Sequence, residues 1–317
     1  MKSKPIQRIY IRVPNWIGDV CMSLPCLEAA LATGCEIIVC AKPWAKDLLS
    51  GLPLHGFIAL TGKWNQDRKL VSHHIQSNPI AGQCVGLLLP DSLTSALTFR
   101  LAGLPCAGYR DDGRSLLLKW PINKPSPSLH AVESWYHLCY TALTQWGFTV
   151  AHHPAKNLSL PLSVKHLEQA QEVLQQLAGK PFVLIAPTAT GKHKGRDKVW
   201  PFFDEFTRRL QQEGYLVVMS PPPNEKEMAL HNAPTATLLP PLSLGAFVAL
   251  LKQAAAVVCN DSGVSHLASL GAPHQFTLIG VTDPHRTGPW SANATILGKM
   301  DAWPSIDEVI AQVKQVL

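Results

Sequence analysis

Short apolar runs rich in valine and isoleucine alternate along this chain with longer segments whose apolar residues recur at helical spacing. In the first half, the pattern predicts strands at 8–13, 36–40, 55–60 and 84–89 and helices at 20–32, 92–102 and 130–145. In the second half, it predicts strands at 182–186, 215–220, 256–259 and 276–280 and helices at 201–213, 244–254, 264–270 and 305–317. Apolar strands lying between helices are typical of a parallel sheet that is covered on both faces.

Two polar, proline-bearing segments interrupt this alternation. Residues 108–129 are charged and proline-rich, and we interpret them as a surface excursion. A new series of strands and helices follows residues 149–161, so the predicted domains are 1–155 and 156–300, with a C-terminal helical segment at 301–317. The predicted fold class is α/β, with two Rossmann-like doubly wound domains facing each other across a cleft. Ligands of such sheets bind beyond the carboxyl ends of strands, so the residues that follow strands are the most informative.

The composition fits two buried cores and excludes a mainly disordered chain. Of the 317 residues, 46% are hydrophobic and 16% are charged, whereas disorder requires low hydrophobicity and high charge. The net charge of +6 suits an anionic partner such as a nucleotide, a phosphorylated glycan or a membrane surface. We expect no nucleic-acid partner, because the predicted helices show no extended basic face with interleaved aromatic residues.

The cysteines and histidines do not follow the spacing of a metal site. The eight cysteines include no Cys-x-x-Cys pair, and the thirteen histidines include no His-Glu-x-x-His motif. The basic N-terminus lacks the apolar core of a signal peptide, and the apolar stretch 246–258 is too short to span a bilayer. We therefore expect a cytoplasmic protein with reduced thiols and no metal, which can still contact a membrane face.

The first candidate functional stretch, residues 14–20, directly follows the first predicted strand. Gly18 permits a tight turn, and Asp19 lies at the start of the next helix. Two interpretations of Asp19 stay open from the residues alone. It is either a helix N-cap, worth about 1 kcal/mol, or a general base that takes the proton of an acceptor hydroxyl. The stretch lacks the Gly-x-Gly-x-x-Gly fingerprint of dinucleotide-binding proteins.

A basic run at 192–198 lies between a predicted strand and a predicted helix, and Thr188 precedes it. Its cations are Lys192, Lys194, Arg196 and Lys198. Lysines near helix N-termini bind phosphates in many proteins, but a solvated basic loop is the commoner meaning of such a run. The run also lacks the glycine and the hydroxyl residue that a P-loop requires.

Two further polar stretches follow strands in the second half. Residues 260–268 open with a turn formed by Asp261, Ser262 and Gly263. Backbone N–H groups of such a turn are a natural site for a pyrophosphate. His266 lies on the first turn of the next helix, where a single histidine is more often structural. Residues 280–289 form a turn-rich loop with glycine, threonine and basic residues that is able to contact phosphate, and neither stretch contains a Gly-x-Ser-x-Gly elbow.

Taken together, these stretches resemble glycosyltransferase family 9, the bacterial family that contains the lipopolysaccharide heptosyltransferases. The resembling segments are Arg12-Val13-Pro14-Asn15-Trp16-Ile17-Gly18-Asp19, Lys198-Val199-Trp200-Pro201, Asn260-Asp261-Ser262-Gly263 with His266-Leu267-Ala268, and Gly280-Val281-Thr282-Asp283-Pro284. Further segments are similar to the heptosyltransferase II branch, namely Asp91-Ser92, Ala102-Gly103-Leu104-Pro105, Gly108-Tyr109-Arg110 and His130-Ala131-Val132-Glu133. The resemblance covers nearly the whole chain, and the order of the motifs is more specific than any one of them.

The resemblance implies a GT-B fold whose first domain binds mainly the acceptor and whose second domain binds mainly the donor. It implies an inverting transfer of heptose from ADP-L-glycero-D-manno-heptose to an inner-core lipopolysaccharide heptose. The acceptor would then be a lipid-linked oligosaccharide, met at the inner face of the cytoplasmic membrane. No metal or other cofactor is required if lysines and helix N–H groups carry the charge of the leaving diphosphate.

The resemblance also implies roles for individual residues. Asp19 is the expected catalytic base. The expected donor-binding residues are Lys198, Asp261, Ser262, Gly263, Thr188 and Thr282. The expected acceptor-binding residues are Asn15, Arg110 and His266, and Arg114 is a further candidate contact to acceptor phosphates. The helical segment 301–317 is expected to pack back across the cleft onto the first domain.

Three other functions remain open at this point. A sibling transferase would use another nucleotide sugar or another acceptor. A catalytically silent binding protein would hold the nucleotide sugar without releasing diphosphate. A nucleic-acid-binding protein would use the basic run and would show a steep dependence on salt.

Overall fold

The computed structural model describes residues 4–111, 113–193 and 195–317, and of residues 192 and 193 it describes the backbone alone. The described chain divides into two compact units between Ala155 and Lys156. This division lies inside the polar segment 149–161, which the sequence analysis takes as the domain boundary. Each unit has its own parallel sheet.

The first unit contains strands β1 to β6 and helices α1 to α6. The strands are β1 (Ile6–Arg12), β2 (Glu36–Ala41), β3 (Gly56–Ala59), β4 (Gln83–Leu88), β5 (Cys106–Tyr109) and β6 (Trp120–Ile122). The helices are α1 (Ile17–Met22), α2 (Leu24–Leu31), α3 (Ala45–Leu48), α4 (Trp64–Ser77), α5 (Leu93–Leu101) and α6 (Ala131–Gln145), with a 3₁₀ turn at Arg114–Leu116.

The second unit contains the remaining elements. Its strands are β7 (Phe182–Ala186), β8 (Lys192–His193), β9 (Arg196–Asp197), β10 (Leu216–Met219), β11 (Thr237–Leu238), β12 (Ala256–Asn260), β13 (Gln275–Ile279) and β14 (Ala294–Gly298). Its helices are α7 (Val164–Gln176), α8 (Phe203–Gln212), α9 (Lys226–Asn232), α10 (Leu244–Leu251), α11 (Gly263–Ala268), α12 (Pro284–Thr287) and α13 (Ile306–Lys314), with a 3₁₀ turn at Pro223–Glu225.

Both sheets have the same strand order. In the described residues, the first sheet runs β3-β2-β1-β4-β5-β6 and the second runs β11-β10-β7-β12-β13-β14, and the strand pairs of both sheets are parallel. This is the doubly wound order of nucleotide-binding sheets, in which the first strand of the unit is central. The predicted α/β class with two Rossmann-like units is confirmed. The central strands β1, β7 and β12 are almost entirely buried because helices cover both faces.

The structure corrects the predicted helix at 20–32, which is two helices. The break falls at Ser23, which ends α1 and precedes α2. Pro25 lies in the first turn of α2, where its missing N–H costs nothing, whereas inside one continuous helix it would remove a hydrogen bond.

The segment 108–129 is not only a surface excursion. It contains the end of β5 and the edge strand β6, in which Pro121 pairs with Gly108. Proline is tolerated in a strand at the sheet edge, where its missing N–H leaves no ladder bond unmade. The predicted set also lacks helices α4 and α7, in which polar residues predominate, although the apolar residues of α7 do recur at helical spacing.

The C-terminal helix α13 lies in the second unit, and the expectation that the segment 301–317 also crosses back to the first domain stays a prediction. Its Val309 and Val313 are fully buried in the second unit's core together with Phe206 and Leu210 of α8. Ion pairs join the same two helices at the surface, with Arg209 Nη1 2.6 Å from Asp307 Oδ1. Apolar burial against α8 is therefore what fixes the helix to this unit.

Candidate active site

The segment between β1 and α1 carries the expected base. The N-cap of α1 is Trp16, whose backbone is extended, and Asp19 lies within the first turn of the helix. The N-cap interpretation of Asp19 is therefore wrong. Asp19 is half-buried, and this burial raises the pKa of its carboxyl above the ordinary value of 3.8. A carboxylate in a first turn is favoured by the helix dipole, but burial has the larger effect on the pKa of Asp19.

Asn15 lies in the same segment and is held by Arg12 at the end of β1. Arg12 Nη2 donates to Asn15 Oδ1 at 2.5 Å, and Arg12 Nη1 donates to the Val13 carbonyl. Arg12 and Asn15 line a cavity of about 180 Å³ in the first unit, which Lys42 also lines. Asn15, an expected acceptor contact, is therefore exposed at a cavity mouth beside a buried cation.

Arg110 is exposed after β5 and is not part of that cavity's lining. Its Nη1 donates to Asn123 Oδ1 at 3.2 Å. Nearby, Lys124 Nζ forms ion pairs with Asp91, at 2.6 Å, and with Asp111. Of these two expected acceptor contacts, Asn15 lines the cavity and Arg110 does not.

Arg114 is fully buried and has a structural role instead of the phosphate contact considered for it. Its Nε donates to the Tyr109 carbonyl at 2.5 Å, and its Nη1 donates to the Pro90 carbonyl at 2.6 Å. These bonds join the ends of β5 and β4, so a guanidinium used in this way is not accessible to an acceptor phosphate.

In the second unit, the expected donor residues follow three neighbouring strands. Thr188 follows β7, the turn Asp261–Gly263 follows β12, and Thr282 follows β13. Because these strands are adjacent and parallel, their carboxyl ends lie at one edge of the sheet. Asp261 and Thr282 are each only 8% exposed. The edge is therefore a compact polar surface above an apolar sheet.

Asn260, the last residue of β12, connects this edge to the segment that contains Lys198. Its side chain is fully buried, and its Oδ1 accepts the backbone N–H of Trp200 at 2.8 Å. Its Nδ2 donates to the carbonyls of Ala186, at 3.3 Å, and Thr188, at 3.2 Å. One amide thus fixes the backbone beside both Thr188 and Lys198.

Apolar packing of Trp200 holds the same segment in place. Its ring is 1% exposed and meets Phe202, Phe203 and Phe206 edge-on, with ring centroids 5.3 to 5.9 Å apart. Its indole Nε1 donates to the Pro304 carbonyl at 3.0 Å. The half-buried Lys198, two residues earlier, therefore emerges from a firmly anchored segment.

The turn after β12 has the predicted geometry. Ser262 is the N-cap of α11, and its Oγ accepts the N–H of Val264 at 3.3 Å. The Asp261 N–H donates to the Leu278 carbonyl of β13 at 3.3 Å. His266 lies on the same short helix and is 6% exposed, so it belongs to the second unit, whereas Asn15 and Arg110 belong to the first.

Glu225 is a polar residue of this edge that the sequence analysis missed. Thr188 Oγ1 donates to Glu225 Oε2 at 2.5 Å. Glu225 follows β10, the strand next to β7. It therefore lies where ligand-binding residues are expected in such a sheet, beyond the carboxyl end of a strand. The proline-rich run before Glu225 is typical of an ordinary turn, so the sequence does not single out this carboxylate as a site residue.

The basic run contributes fewer available cations than its sequence indicates. Arg196 forms an ion pair with Asp301, with Nη1 and Oδ1 2.6 Å apart. Lys194 lies outside the described residues, and only the backbone of Lys192 is described. Lys198 is half-buried and lies two residues before Trp200, whose backbone N–H Asn260 binds.

A family model for glycosyltransferase family 9, described as heptosyltransferase, matches residues 83–315. The chain belongs to glycosyltransferase family 9. This match spans most of the chain, including the residues that follow β7, β12 and β13. The chain is therefore an enzyme of the glycosyltransferase class.

Other members of family 9 resemble the chain along most of its length. Lipopolysaccharide heptosyltransferase 2 of Escherichia coli K12 is 26% identical over 325 residues, covering 92% of this chain and 87% of that protein. The structure of E. coli ADP-heptose lipopolysaccharide heptosyltransferase II has a TM-score of 0.76 at 24% identity, covering 98% and 99% of the two chains. E. coli heptosyltransferase WaaC with ADP has a TM-score of 0.76 at 20% identity, covering 98% and 100%. These structures support the GT-B type of α/β fold.

Neither a metal-ligand cluster nor a membrane-spanning helix is found among the described residues. No cluster of three or more histidine, cysteine or carboxylate side chains with metal-binding arrangement occurs among them. Across the same residues, no helix combines the length and apolar character needed to cross a bilayer.

We expect Asn260→Asp to destabilise this family 9 enzyme in a pH-dependent manner. The new carboxyl still accepts the Trp200 N–H, but its second oxygen faces the carbonyls of Ala186 and Thr188. Ionisation there is unfavourable, so the folded-state pKa of the introduced carboxyl lies above its unfolded value of about 3.9. The variant is thus closest to wild type below about pH 4, and its deficit grows as the pH rises through the folded-state pKa.

Urea unfolding at pH 5 and pH 8 measures this effect, with an expected loss of about 3 kcal/mol at the higher pH. Asn232→Asp is the matched control. Asn232 also donates to a backbone carbonyl, that of Pro187, but it is half-exposed, so water can solvate the charge. Equal and pH-independent losses for both variants would contradict the role assigned to Asn260.

Proposed function

We propose that this enzyme transfers heptose from ADP-L-glycero-D-manno-heptose to a heptose of the lipopolysaccharide inner core, with inversion at the anomeric carbon. The observation that carries the proposal is the polar edge of the second unit, where polar residues follow three neighbouring strands and the Asn260 amide joins the segment after β7 to the backbone at Trp200. Family membership, relatives named heptosyltransferase 2 and a similar structure with ADP support the choice of sugar and nucleotide.

In this proposal the donor binds at that edge. Lys198 neutralises the diphosphate, and the backbone N–H groups of the turn after β12 add hydrogen bonds to it. Asp261, Ser262, Gly263 and Thr282 line the donor. Because the Thr188 hydroxyl donates its hydrogen to Glu225, its oxygen is left as an acceptor for a hydroxyl of the donor.

Asp19 is the proposed base. Its carboxylate takes the proton of the acceptor hydroxyl as that oxygen bonds to the anomeric carbon, while the bond from that carbon to the diphosphate breaks and ADP leaves. Burial raises the pKa of Asp19, which makes it a stronger base than an exposed aspartate.

Asn15, Arg110 and His266 are the proposed acceptor contacts, and the acceptor is a lipid-linked oligosaccharide. This acceptor implies a cytoplasmic enzyme that meets the inner face of the cytoplasmic membrane peripherally. No metal, no other cofactor and no nucleic acid take part. The alternatives are a sibling transferase with another nucleotide sugar or acceptor, and a silent nucleotide-sugar-binding protein.

Replacing Asp19 by asparagine tests the base. We expect Asp19→Asn to fold normally and to lower kcat by at least roughly 10²-fold, because it removes proton acceptance while keeping the shape of the side chain. The acidic limb of the pH–rate profile, along which kcat falls as the pH drops through the raised pKa of Asp19, should also disappear. Turnover of purified core acceptor by the two proteins across pH 4 to 9, roughly bracketing carboxyl and histidine titration, measures both effects.

Glu28→Gln is the matched control for this experiment. Glu28 lies on the next helix, is half-buried, and likewise has a pKa that burial raises. It should leave the rate and the pH profile unchanged. Near-full activity of Asp19→Asn would make Asp19 a structural residue.

A thermal-shift panel of ADP, UDP, GDP and ADP-heptose tests the donor. A ligand at a hundred times its Kd adds roughly 2.7 kcal/mol to the free energy of unfolding. We expect stabilisation by ADP and ADP-heptose alone, which Lys198→Gln should weaken. A preference for UDP or GDP would move the enzyme to a sibling transferase, and binding of ADP-heptose without diphosphate release would make it a silent binding protein.

Activity in the presence of a chelator tests the metal-free mechanism. Because Lys198 and backbone N–H groups are proposed to stabilise the leaving diphosphate, transfer should continue at an unchanged rate in excess EDTA. Loss of turnover in EDTA, restored by added Mg²⁺ or Mn²⁺, would show that a cation carries that charge.

A further inference from the structure

The side chain of Trp16 is the most solvent-exposed indole of the described chain. All nine tryptophans of the sequence lie among the described residues, and of these Trp16 is 76% exposed, Trp64 is 45% exposed, and the other seven are buried or half-buried. An indole usually buries most of its large apolar surface. Since a single exposed apolar side chain is common on protein surfaces, the position of Trp16 decides what its exposure means.

Trp16 stands at a helix position for which its side chain is poorly suited. It is the N-cap of α1, and its side chain makes no capping hydrogen bond. Serine, threonine, aspartate and asparagine are preferred at an N-cap because their side-chain oxygen accepts an N–H of the first turn, which an indole cannot do. A residue that departs from such a local rule of stability is expected at a functional site.

The backbone on both sides of Trp16 is firmly held, although its side chain lies in solvent. The Trp16 carbonyl accepts the Val20 N–H at 2.9 Å. The preceding residue, Asn15, accepts from Arg12 Nη2 at 2.5 Å, and Gly18 in the first turn of α1 is buried. The indole is therefore presented from a rigid segment, so little conformational entropy is lost when a ligand covers it.

The indole of Trp16 is a neighbour of the proposed base. Trp16 is the N-cap of α1, and Asp19 is the third residue of that helix. Side chains at these two positions lie close together, which is why each can bind the other's backbone N–H in a capping box. An acceptor hydroxyl has to come within roughly 3 Å of the Asp19 carboxylate to lose its proton. The sugar ring that bears this hydroxyl therefore has to lie close to the indole.

We propose that Trp16 is a stacking platform for the neutral pyranose ring whose hydroxyl Asp19 deprotonates. The C–H groups on one face of a pyranose are apolar and slightly positive at hydrogen, whereas the face of an indole is apolar and slightly negative. The two faces therefore attract each other, and both leave water when they meet. Stacking fixes the plane of the ring and leaves the hydroxyls at its rim free for polar contacts. This inference rests on the proposed function, because it assigns the contact that holds the acceptor at the base.

Ligand-observed NMR on the whole protein tests the stacking without donor or turnover. The probes are methyl α-D-mannopyranoside, which is a neutral pyranoside, and a deacylated core oligosaccharide that ends in heptose. With the wild-type protein, the ring protons of the bound sugar should shift upfield because they lie over an aromatic ring. Trp16→Ser should abolish this shift and weaken binding by roughly tenfold. Trp16→Phe retains a smaller aromatic face and should keep part of both effects.

Trp16→Ser also separates recognition from structure. Serine can cap α1, so the Tm of the variant should rise by roughly 2 to 4 °C while its affinity for the sugar falls. In turnover assays, KM for the core oligosaccharide should rise roughly tenfold with kcat nearly unchanged, because stacking is equal in the ground state and the transition state. A structural role of Trp16 predicts a lower Tm and a lower kcat instead. The matched control is Leu101→Ala, at a 48% exposed residue that ends α5 at the opposite edge of the sheet, and it should leave KM unchanged.

Ring-proton shifts that survive in Trp16→Ser would overturn the inference, and so would the absence of such shifts for both probes on the wild-type protein. An unchanged KM together with weaker binding of Trp16→Ser to vesicles of anionic phospholipid would also overturn it, and would make Trp16 a membrane contact. Heptose transfer with the same KM in wild type and Trp16→Ser would remove this inference alone. Binding of either sugar that depends on Trp16, in a protein that ignores ADP and ADP-heptose, would remove the proposed donor alone.

Discussion

The hydrogen bonds of the buried Asn260 amide are the interaction on which the polar edge of the second unit depends. Asn260 ends the central strand β12, donates to carbonyls at the end of β7, and accepts the N–H of Trp200. A neutral amide can satisfy donors and acceptors at once, which a buried carboxylate or an apolar residue of the same size cannot do. The residues on either side, Thr188 and Lys198, therefore have fixed backbones although they lie in irregular segments.

The sequence could predict β1 to β4, the four inner strands of the second sheet and the location of this edge, because these follow from short-range patterns. Strands such as β7 and β12 are continuous apolar runs, and the polar turn at Asp261–Gly263 stands out directly after one of them. Parallel strand order then places residues after neighbouring strands together. The N-cap Ser92 of α5 and the left-handed Gly103 after it were likewise predictable from residue type.

What the sequence could not predict depends on partners that are distant along the chain. From the sequence, Arg114 is expected to be an exposed cation, but it is completely buried and donates to carbonyls at the ends of two strands. Glu225 reads as part of a proline-rich turn, but it accepts the hydroxyl of Thr188, 37 positions earlier. Edge strands such as β6 and β14 are short, and a proline inside β6 and a glycine at the end of β14 are residues that ordinarily indicate a turn.

The two units differ in how they hold the residues at the edges of their sheets. In the second unit, neutral hydrogen bonds around Asn260 fix the segments that follow β7 and precede α8. In the first unit, the buried Arg12 donates to the Val13 carbonyl and to Asn15 Oδ1, while Asp67 in the same cavity lining opposes the lowering of the Arg12 pKa by burial. A buried guanidinium is costly without an opposite charge, so Asp67 helps to keep Arg12 in place. The segment that leads to Asp19 therefore depends on charged groups, whereas the edge around Asn260 depends on a neutral amide.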